Sequence, residues 1–320
     1  MTGLRASYSS QQEAIEGAAR HLSRAVEIDP DFALAHAWLS QVAMQIHFDF
    51  DPRQVWIEKA EQHCQRALTL DPSLPEGHWA RAAILWSPAK NFQHAEAIAA
   101  LEQVLAARPN FDRAHNRMCS ICFHIGRFEE AGIAHEHSMR SNPKNRSYKL
   151  EFIHLYRGDL ASAEKAAEAL LREMPGQMQA LYYSAYPPLM SGDLDLAGQR
   201  LEAGLKLYPD EPLIISLQGM FHAWRNEPGP AVECVRKALD SPRSFGHTHH
   251  THHQIACVYA VLGDKGKAMA WLERSADTGF PCWPFFKLDP HLENLRGEAA
   301  FQRFVDGLER KYTALKIQRV

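Results

Sequence analysis

Five histidines lie within seven residues in the last third of the chain, and they are the residues best suited to chemistry. They are His247, His249, His250, His252 and His253. On a helix, residues four apart stack on one face, so His249 and His253 fall in one row that Cys257 continues. Imidazole nitrogen and cysteine sulfur are donors that zinc and copper favour. The spacing predicts a candidate metal site for Zn or Cu at His249, His250, His253 and Cys257.

A simpler interpretation of this segment is the one we favour. No glutamate completes the His-Glu-x-x-His arrangement of metalloproteases. The histidines also begin a predicted helix, where solvated polar residues are common, so packing or solvated histidines explain them without a metal. In the alternative, segment 247–257 makes the protein a small-molecule or metal-binding sensor, or a metal-dependent hydrolase whose bound metal activates water.

Other reactive residue types do not assemble into a catalytic set. Cys119 and Cys122 lie within a predicted helix with no second Cys-x-x-Cys, so we interpret them as core cysteines. Asp49 and Asp51 are interpreted as solvated loop acids, and Asp193 as a helix cap. There is no Gly-x-Ser-x-Gly elbow, phosphate-binding glycine loop or dinucleotide fingerprint. The sequence therefore names no catalytic residue and predicts a protein that is not an enzyme.

Composition and charge exclude some classes of partner and cellular location. The chain has 320 residues and a net charge of −3, with 46% hydrophobic and 23% charged residues. Without a basic stripe, nucleic acid is not expected as a partner. The six cysteines are scattered, which indicates a reducing compartment. No apolar run has the length of a signal peptide or a membrane span. A cytoplasmic protein without a membrane partner is expected.

Prolines recur along the chain, and each has an alanine twelve residues before it. The pairs are Ala18/Pro30, Ala60/Pro72, Ala97/Pro109, Ala131/Pro143, Ala163/Pro175 and Ala197/Pro209, with a looser seventh at Ala231/Pro242. Proline ends a helix, and a small residue lets two helices approach closely. The intervals between prolines are 42, 37, 34, 32, 34 and 33 residues. A period near 34 is typical of antiparallel helix pairs that stack on one another.

This ladder resembles the tetratricopeptide repeat family over nearly the whole chain. The resemblance implies an all-α fold, a right-handed α-solenoid of antiparallel helix pairs. We expect a lone second helix at about residues 11–28 and seven helix pairs, the last being 247–262 with 264–278. The domain organisation predicted is an array over residues 1–280, followed by a loop and C-terminal capping helices over 281–320. The Pro187-Pro188 pair predicts a kinked or short helix.

A narrower resemblance comes from the end of the chain. The stretches SFGHTHHTHHQIAC (244–257), GFPCWPFF (279–286) and DPHLENLR (289–296) resemble the closing segment of certain bacterial multidomain regulators. In those proteins a tetratricopeptide array follows a kinase, a nucleotide cyclase, a winged-helix domain or a TolB-like domain. The resemblance implies a sensing or docking module in signalling. The residues given contain no kinase, cyclase or winged-helix sequence, so none of those activities is expected of them.

In such an array the first helix of each pair lines a concave groove. Counting from each proline assigns a partner-binding groove to Trp79, Trp86, Arg113, Asn116, Phe123, His154, Arg157, Tyr182 and Tyr186. Aromatic and arginine residues are the usual anchors of interfaces, and arginine and asparagine can hold a peptide backbone or carboxylate. The function predicted is a non-catalytic scaffold that binds a peptide or protein partner in this groove.

Overall fold

The computed structural model describes residues 2–143, 149–241 and 247–317, with side chains from residue 12 onward. Within these ranges the chain forms seventeen α-helices and two short 3₁₀ helices, and no strand. Membrane crossing would need a longer and more apolar helix than any in the described ranges. Pro242 and the start of the closing motif, residues 244–246, lie outside the described residues. The predicted all-α fold class is confirmed.

The first fifteen α-helices are one initial helix and seven consecutive pairs. Helix α1 covers Thr2–Ile28 and therefore begins earlier than expected. The pairs are α2 Ala33–Asp49 with α3 Gln54–Leu70, α4 Pro75–Leu85 with α5 His94–Ala107, α6 Asp112–His124 with α7 Phe128–Ser141, α8 Lys149–Tyr156 with α9 Leu160–Glu173, α10 Met178–Ser191 with α11 Leu194–Leu207, α12 Pro212–Trp224 with α13 Pro228–Asp240, and α14 Thr248–Val261 with α15 Lys265–Asp277. A 3₁₀ turn, Pro88–Lys90, separates α4 from α5.

The alanine–proline ladder explains where these helices end and how closely they pack. The second helices of the pairs end two residues before the repeat proline, as α3 does at Leu70 before Pro72. The ladder alanines from Ala60 to Ala231 are buried. Small residues on the first helices permit the same close approach: Ser40 is fully buried, and its hydroxyl donates to the Ala60 carbonyl at 2.8 Å.

The chain divides into two compact units. The first consists of residues 1–121, 136–145 and 317–320, and the second of residues 122–135 and 146–316. In the first unit α2 packs against α1, α3 and α4, and α4 packs against α5. In the second unit the first helices α10, α12 and α14 pack one against the next, and each also contacts its own second helix. Consecutive first helices therefore form a layer inside each unit.

Two local features differ from the sequence-based expectations or refine them. The long interval before Pro72 arises from α2 and α3, which have 17 residues each. Helix α10 continues through Pro187 and Pro188 without shortening. Pro188 cannot donate to the Ser184 carbonyl one turn earlier, and the guanidinium of Arg200 donates to that carbonyl at 2.6 Å instead.

The segment after residue 280 is also more ordered than expected. Where a loop was predicted over 281–289, helix α16 forms at Trp283–Leu288. Pro284 stands at its second position, where the missing amide hydrogen has no helical partner to lose. A 3₁₀ helix at Pro290–Leu295 and α17 at Ala299–Thr313 complete the second unit.

Candidate functional site

The residues of the predicted groove occur in both units, and they differ in exposure. The aromatic members are buried: Trp79 and Trp86 in the first unit, and Phe123, Tyr182 and Tyr186 in the second. The polar members reach the surface, since Arg113 and Arg157 are exposed and Asn116 and His154 are half-buried. The aromatic rings therefore support the surface from below, and the arginines are the members that water reaches.

In the first unit, one exposed arginine lies over a pair of tryptophan rings. The Arg113 guanidinium on α6 is 4.8 Å from the ring centre of Trp38 on α2 and 5.6 Å from that of Trp79 on α4. The two indoles meet edge-on at 5.4 Å, and Phe111 contacts the Trp79 ring edge-on at 5.7 Å. Among the described residues Arg113 has no acidic partner. We call Trp38, Trp79 and Arg113 the Trp–Arg face.

Trp38 was missed by the sequence analysis. The counting rule picks the seventh residue after each proline, which is Trp79 after Pro72 but Ala37 after Pro30. The helical turn that follows Pro30 presents the next residue instead, and Trp38 is half-buried where Ala37 is buried. The sequence did contain a signal for Trp38, because it is an aromatic residue one position after the one that the counting rule selects.

Further along α6, a second arginine extends this region. The guanidinium of Arg117 lies 6.0 Å from the ring centre of Trp86. Burial lowers the pKa of Arg117 to about 10, and the charge of Asp49 opposes that shift. Arg117 therefore stays charged at neutral pH. Helix α6 therefore carries two positive charges beside tryptophan rings, the exposed one of Arg113 and the half-buried one of Arg117.

Three histidines that recur at the same position in successive repeats have a structural role. His36, His78 and His115 each stand six residues after a repeat proline. Their Nε2 atoms lie 3.2, 2.8 and 2.7 Å from the carbonyl oxygens of Pro30, Pro72 and Pro109. A carbonyl only accepts, so each Nε2 carries the hydrogen and donates. These side chains fix the turns between repeats.

In the second unit the histidine-rich start of α14 is mostly buried, so solvation does not explain it. His124, His247, His249 and His250 each offer a ring nitrogen, and the four nitrogens lie within 4.8 Å of one another. His247 is exposed and the other three are buried. We call these four residues the histidine quartet. It joins the end of α6 to the first turn of α14.

Hydrogen bonds define the tautomer at the centre of the quartet. The Nδ1 atom of His249 lies 2.8 Å from the Thr278 carbonyl and must donate to it. In the neutral ring the lone pair is then on Nε2. That atom lies 3.1 Å from Nε2 of His124 and 3.2 Å from Nδ1 of His247. Burial, together with the charges of neighbouring histidines, lowers the pKa of His250 well below its usual value.

A second cluster lies one turn further along α14. His253 and Cys257 on α14 meet Asp289, which precedes the 3₁₀ helix, and all three residues are buried. The Oδ2 atom of Asp289 lies 3.1 Å from Nε2 of His253 and 3.4 Å from Sγ of Cys257. The same Nε2 lies 3.7 Å from the sulfur. We call these residues the Cys–His–Asp cluster.

Neighbouring groups hold the Asp289 carboxylate in its charged form. Its Oδ1 atom accepts a hydrogen bond from the backbone amide of His291 at 2.9 Å and lies 2.7 Å from Nδ1 of the His291 ring. Burial acts to raise the pKa of Asp289, but the charge of His291 and the hydrogen bonds from His253 and His291 outweigh burial and hold the pKa below its usual range. Burial and the Asp289 charge raise the pKa of the Cys257 thiol.

The predicted metal-site residues thus separate into two groups. His249 and His250 belong to the quartet, and His253 and Cys257 to the Cys–His–Asp cluster. The sequence analysis missed His124 and Asp289, which complete the two clusters from 125 and 32 residues away in the chain. Asp289 had entered the sequence analysis only as the first residue of the stretch DPHLENLR.

The remaining candidates have ordinary structural partners. Asp51 accepts from the Arg53 guanidinium and, at 2.7 Å, from the Trp56 indole nitrogen, so it is not paired with Asp49 for acid–base work. Asp193 caps α11 by accepting from the Leu196 amide, as predicted. All six cysteines fall in the described residues, where each is buried and none forms a disulfide.

Comparisons with known proteins agree with this architecture. Two family models, both described as tetratricopeptide repeat, match residues 89–149 and 153–212. The structure of a tetratricopeptide repeat protein from Parabacteroides merdae covers 79% of this chain and 98% of its own, at 13% identity and a TM-score of 0.52. A search of curated proteins found no match.

Two further solved structures are similar at lower scores. Yeast Tom70 matches 96% of this chain and 61% of its own length at 14% identity and a TM-score of 0.49. Pseudomonas aeruginosa pilF matches 65% of this chain and 91% of its own length at 17% identity and a TM-score of 0.49. The family models show tetratricopeptide repeats over residues 89–149 and 153–212, and the Parabacteroides merdae structure shows the same all-α fold.

Proposed function

We propose that this protein is a non-catalytic scaffold that binds an extended, carboxylate-bearing segment of a partner protein on the Trp–Arg face. Tetratricopeptide repeats are typical of protein–protein interaction. The observation that carries the proposal is Arg113: an exposed guanidinium without an acidic partner among the described residues, held over two indole rings. A guanidinium prepared in this way binds a carboxylate through two parallel hydrogen bonds.

The tryptophans support this role by fixing the cation. A guanidinium over an aromatic face gains about 0.5–1 kcal/mol at an exposed site, and two rings restrict its rotamers. The arginine therefore loses little further entropy when a ligand arrives, and less ordering cost means tighter binding. Arg117, directly after Asn116 on α6, would add a second positive charge for an acidic side chain.

The place of this binding activity is also part of the proposal. The resemblance of the closing segment to bacterial multidomain regulators favours a docking role within a signalling assembly. The buried cysteines without disulfides favour a reducing compartment such as the cytoplasm.

A peptide selection tests the proposal. Pools of extended peptides with acidic, neutral or basic side chains, each with free and amidated C-termini, would be applied to the wild-type protein. We expect acidic or free-carboxylate peptides to be selected, and Arg113→Ala to weaken their binding about tenfold or more. Arg157→Ala is the matched control, an exposed arginine of the second unit. Loss of binding in Arg157→Ala with none in Arg113→Ala would contradict the proposed face.

A further inference from the structure

We infer that the Cys–His–Asp cluster of the second unit is a structural zinc site, with His253, Cys257 and Asp289 as protein ligands. The three donor atoms, Nε2, Sγ and Oδ2, are mutually separated by 3.1, 3.4 and 3.7 Å. Zinc at its usual distances from nitrogen, oxygen and sulfur, in tetrahedral geometry, separates such donors by about 3.3–3.6 Å. The cluster already has nearly the shape of one face of that tetrahedron.

The local structure explains why these atoms converge. His253 and Cys257 are four residues apart on α14, so their side chains lie on one face of the helix. Asp289 follows α16, and its Oδ1 atom is occupied by the His291 amide and ring. Only Oδ2 remains for the α14 side chains. A carboxylate oriented by hydrogen bonds to its second oxygen is typical of the outer shell of metal sites.

The same geometry argues against a catalytic Cys-His-Asp relay. In a relay the imidazole bridges its two partners through opposite ring nitrogens. Here Asp289 and Cys257 both contact the same nitrogen, Nε2 of His253. A shared nitrogen cannot pass a proton from one partner to the other, but it is what a common ligand sphere requires.

Charge and surroundings also fit zinc. A thiolate and a carboxylate together carry two negative charges, which Zn²⁺ neutralises, whereas two buried anions without a cation would be very unfavourable. Phe280, Phe285 and Phe286 surround the His253 ring, with ring centres 5.0–5.7 Å away. Such apolar walls keep water from the site, which is typical of structural rather than catalytic zinc.

Cobalt substitution tests this inference and separates the cluster from the histidine quartet. Untagged protein would be stripped with a chelator and titrated with Co²⁺ and then Zn²⁺. Thiolate bound to Co²⁺ gives a near-ultraviolet charge-transfer band, and the quartet has no sulfur. We expect the band at about one equivalent, its displacement by Zn²⁺, and a melting temperature raised by Zn²⁺.

Variants then assign the ligands. Cys257→Ser abolishes the band, and Asp289→Asn weakens Co²⁺ binding by at least tenfold. Cys282→Ser is the matched control, a buried cysteine of the same unit outside the cluster, and it keeps the band. His247→Asn, which alters only the quartet, also keeps it. A wild-type protein without the band overturns the inference whether or not the variants fold. So does a band that survives Cys257→Ser, or cobalt binding that only His247→Asn removes.

Discussion

The Trp–Arg face of the first unit and the Cys–His–Asp cluster of the second both bring charged groups beside aromatic rings, but water reaches them differently. Arg113 is exposed above the rings of Trp38 and Trp79, so its charge is available to a ligand. Asp289 has no exposed surface, and its charge is used within the unit. A charge beside aromatic rings is thus open to solvent in the first unit and enclosed in the second, and we propose recognition for the one and cohesion for the other.

The largest expected effect comes from opening the enclosed cluster. Asp289→Ala removes the acceptor for the His291 amide and the partner of two buried histidines. Breaking a buried charged network by deleting one member costs about 3–5 kcal/mol, and we expect the free energy of unfolding to fall by that amount. Urea unfolding of metal-free protein measures it.

Asp306→Ala is the control for Asp289→Ala, because Asp306 is exposed and its ion pair with Lys287 spans 3.9 Å. We expect a change below about 1 kcal/mol for it. Similar losses in the two variants would contradict the distinction between enclosed and solvated charge.

A smaller effect tests how tightly the layer of first helices packs in the second unit. At Gly219 on α12, an added Cβ would lie 3.2 Å from Cys234 Cβ and 3.3 Å from Val258 Cγ2 on α14. We expect Gly219→Ala to destabilise by about 1–3 kcal/mol through overpacking. Gly132→Ala, in α7 with nothing within 4 Å of its added Cβ, should instead stabilise by up to about 1 kcal/mol through helix propensity. Thermal unfolding measures both variants. If their melting temperatures shift in the same direction, the helices adjust their spacing and the tight packing at Gly219 is contradicted.

The smallest expected effect is a loss of stability at low pH that arises from His63 in the first unit. Burial, then the charges of His36 and Lys59, lowers the pKa of His63 below 6.5 in the folded protein. The unfolded state therefore binds this proton first, and stability is lost as pH falls from about 6.5 toward the lower folded pKa. His63→Gln should flatten the dependence of unfolding free energy on pH in this window. A slope as steep as that of the wild type would assign the acid sensitivity to other groups.

The sequence predicted the helices better than the sites because the two depend on different distances along the chain. Helix ends follow local rules, so Pro72 and its equivalents located them within a few residues. Short α16 was the exception, since Pro281 and Pro284 resemble loop residues although Pro284 fits a helix start.

The residues of each site are brought together by contacts between distant parts of the chain, and helical periodicity does not predict such contacts. Helical spacing placed His249 and His253 in one predicted metal site. Four residues of helix advance about 6 Å, however, and each turn meets a different neighbour. His249 therefore contacts His124, whereas His253 contacts Asp289. Arg113, which the groove prediction named, is exposed, but the counting rule could not anticipate which aromatic rings the packing would bury.

Charge reversal at one residue tests the central claim most directly. Arg113→Glu would be applied to the same peptide pools as the wild-type protein, with circular dichroism verifying that the helices are intact. Because Arg113 is exposed and makes no ion pair among the described residues, the fold should tolerate the change. If the Trp–Arg face binds carboxylate-bearing segments, selection shifts from acidic to basic peptides. Unchanged selection of acidic peptides by Arg113→Glu would contradict the proposed function.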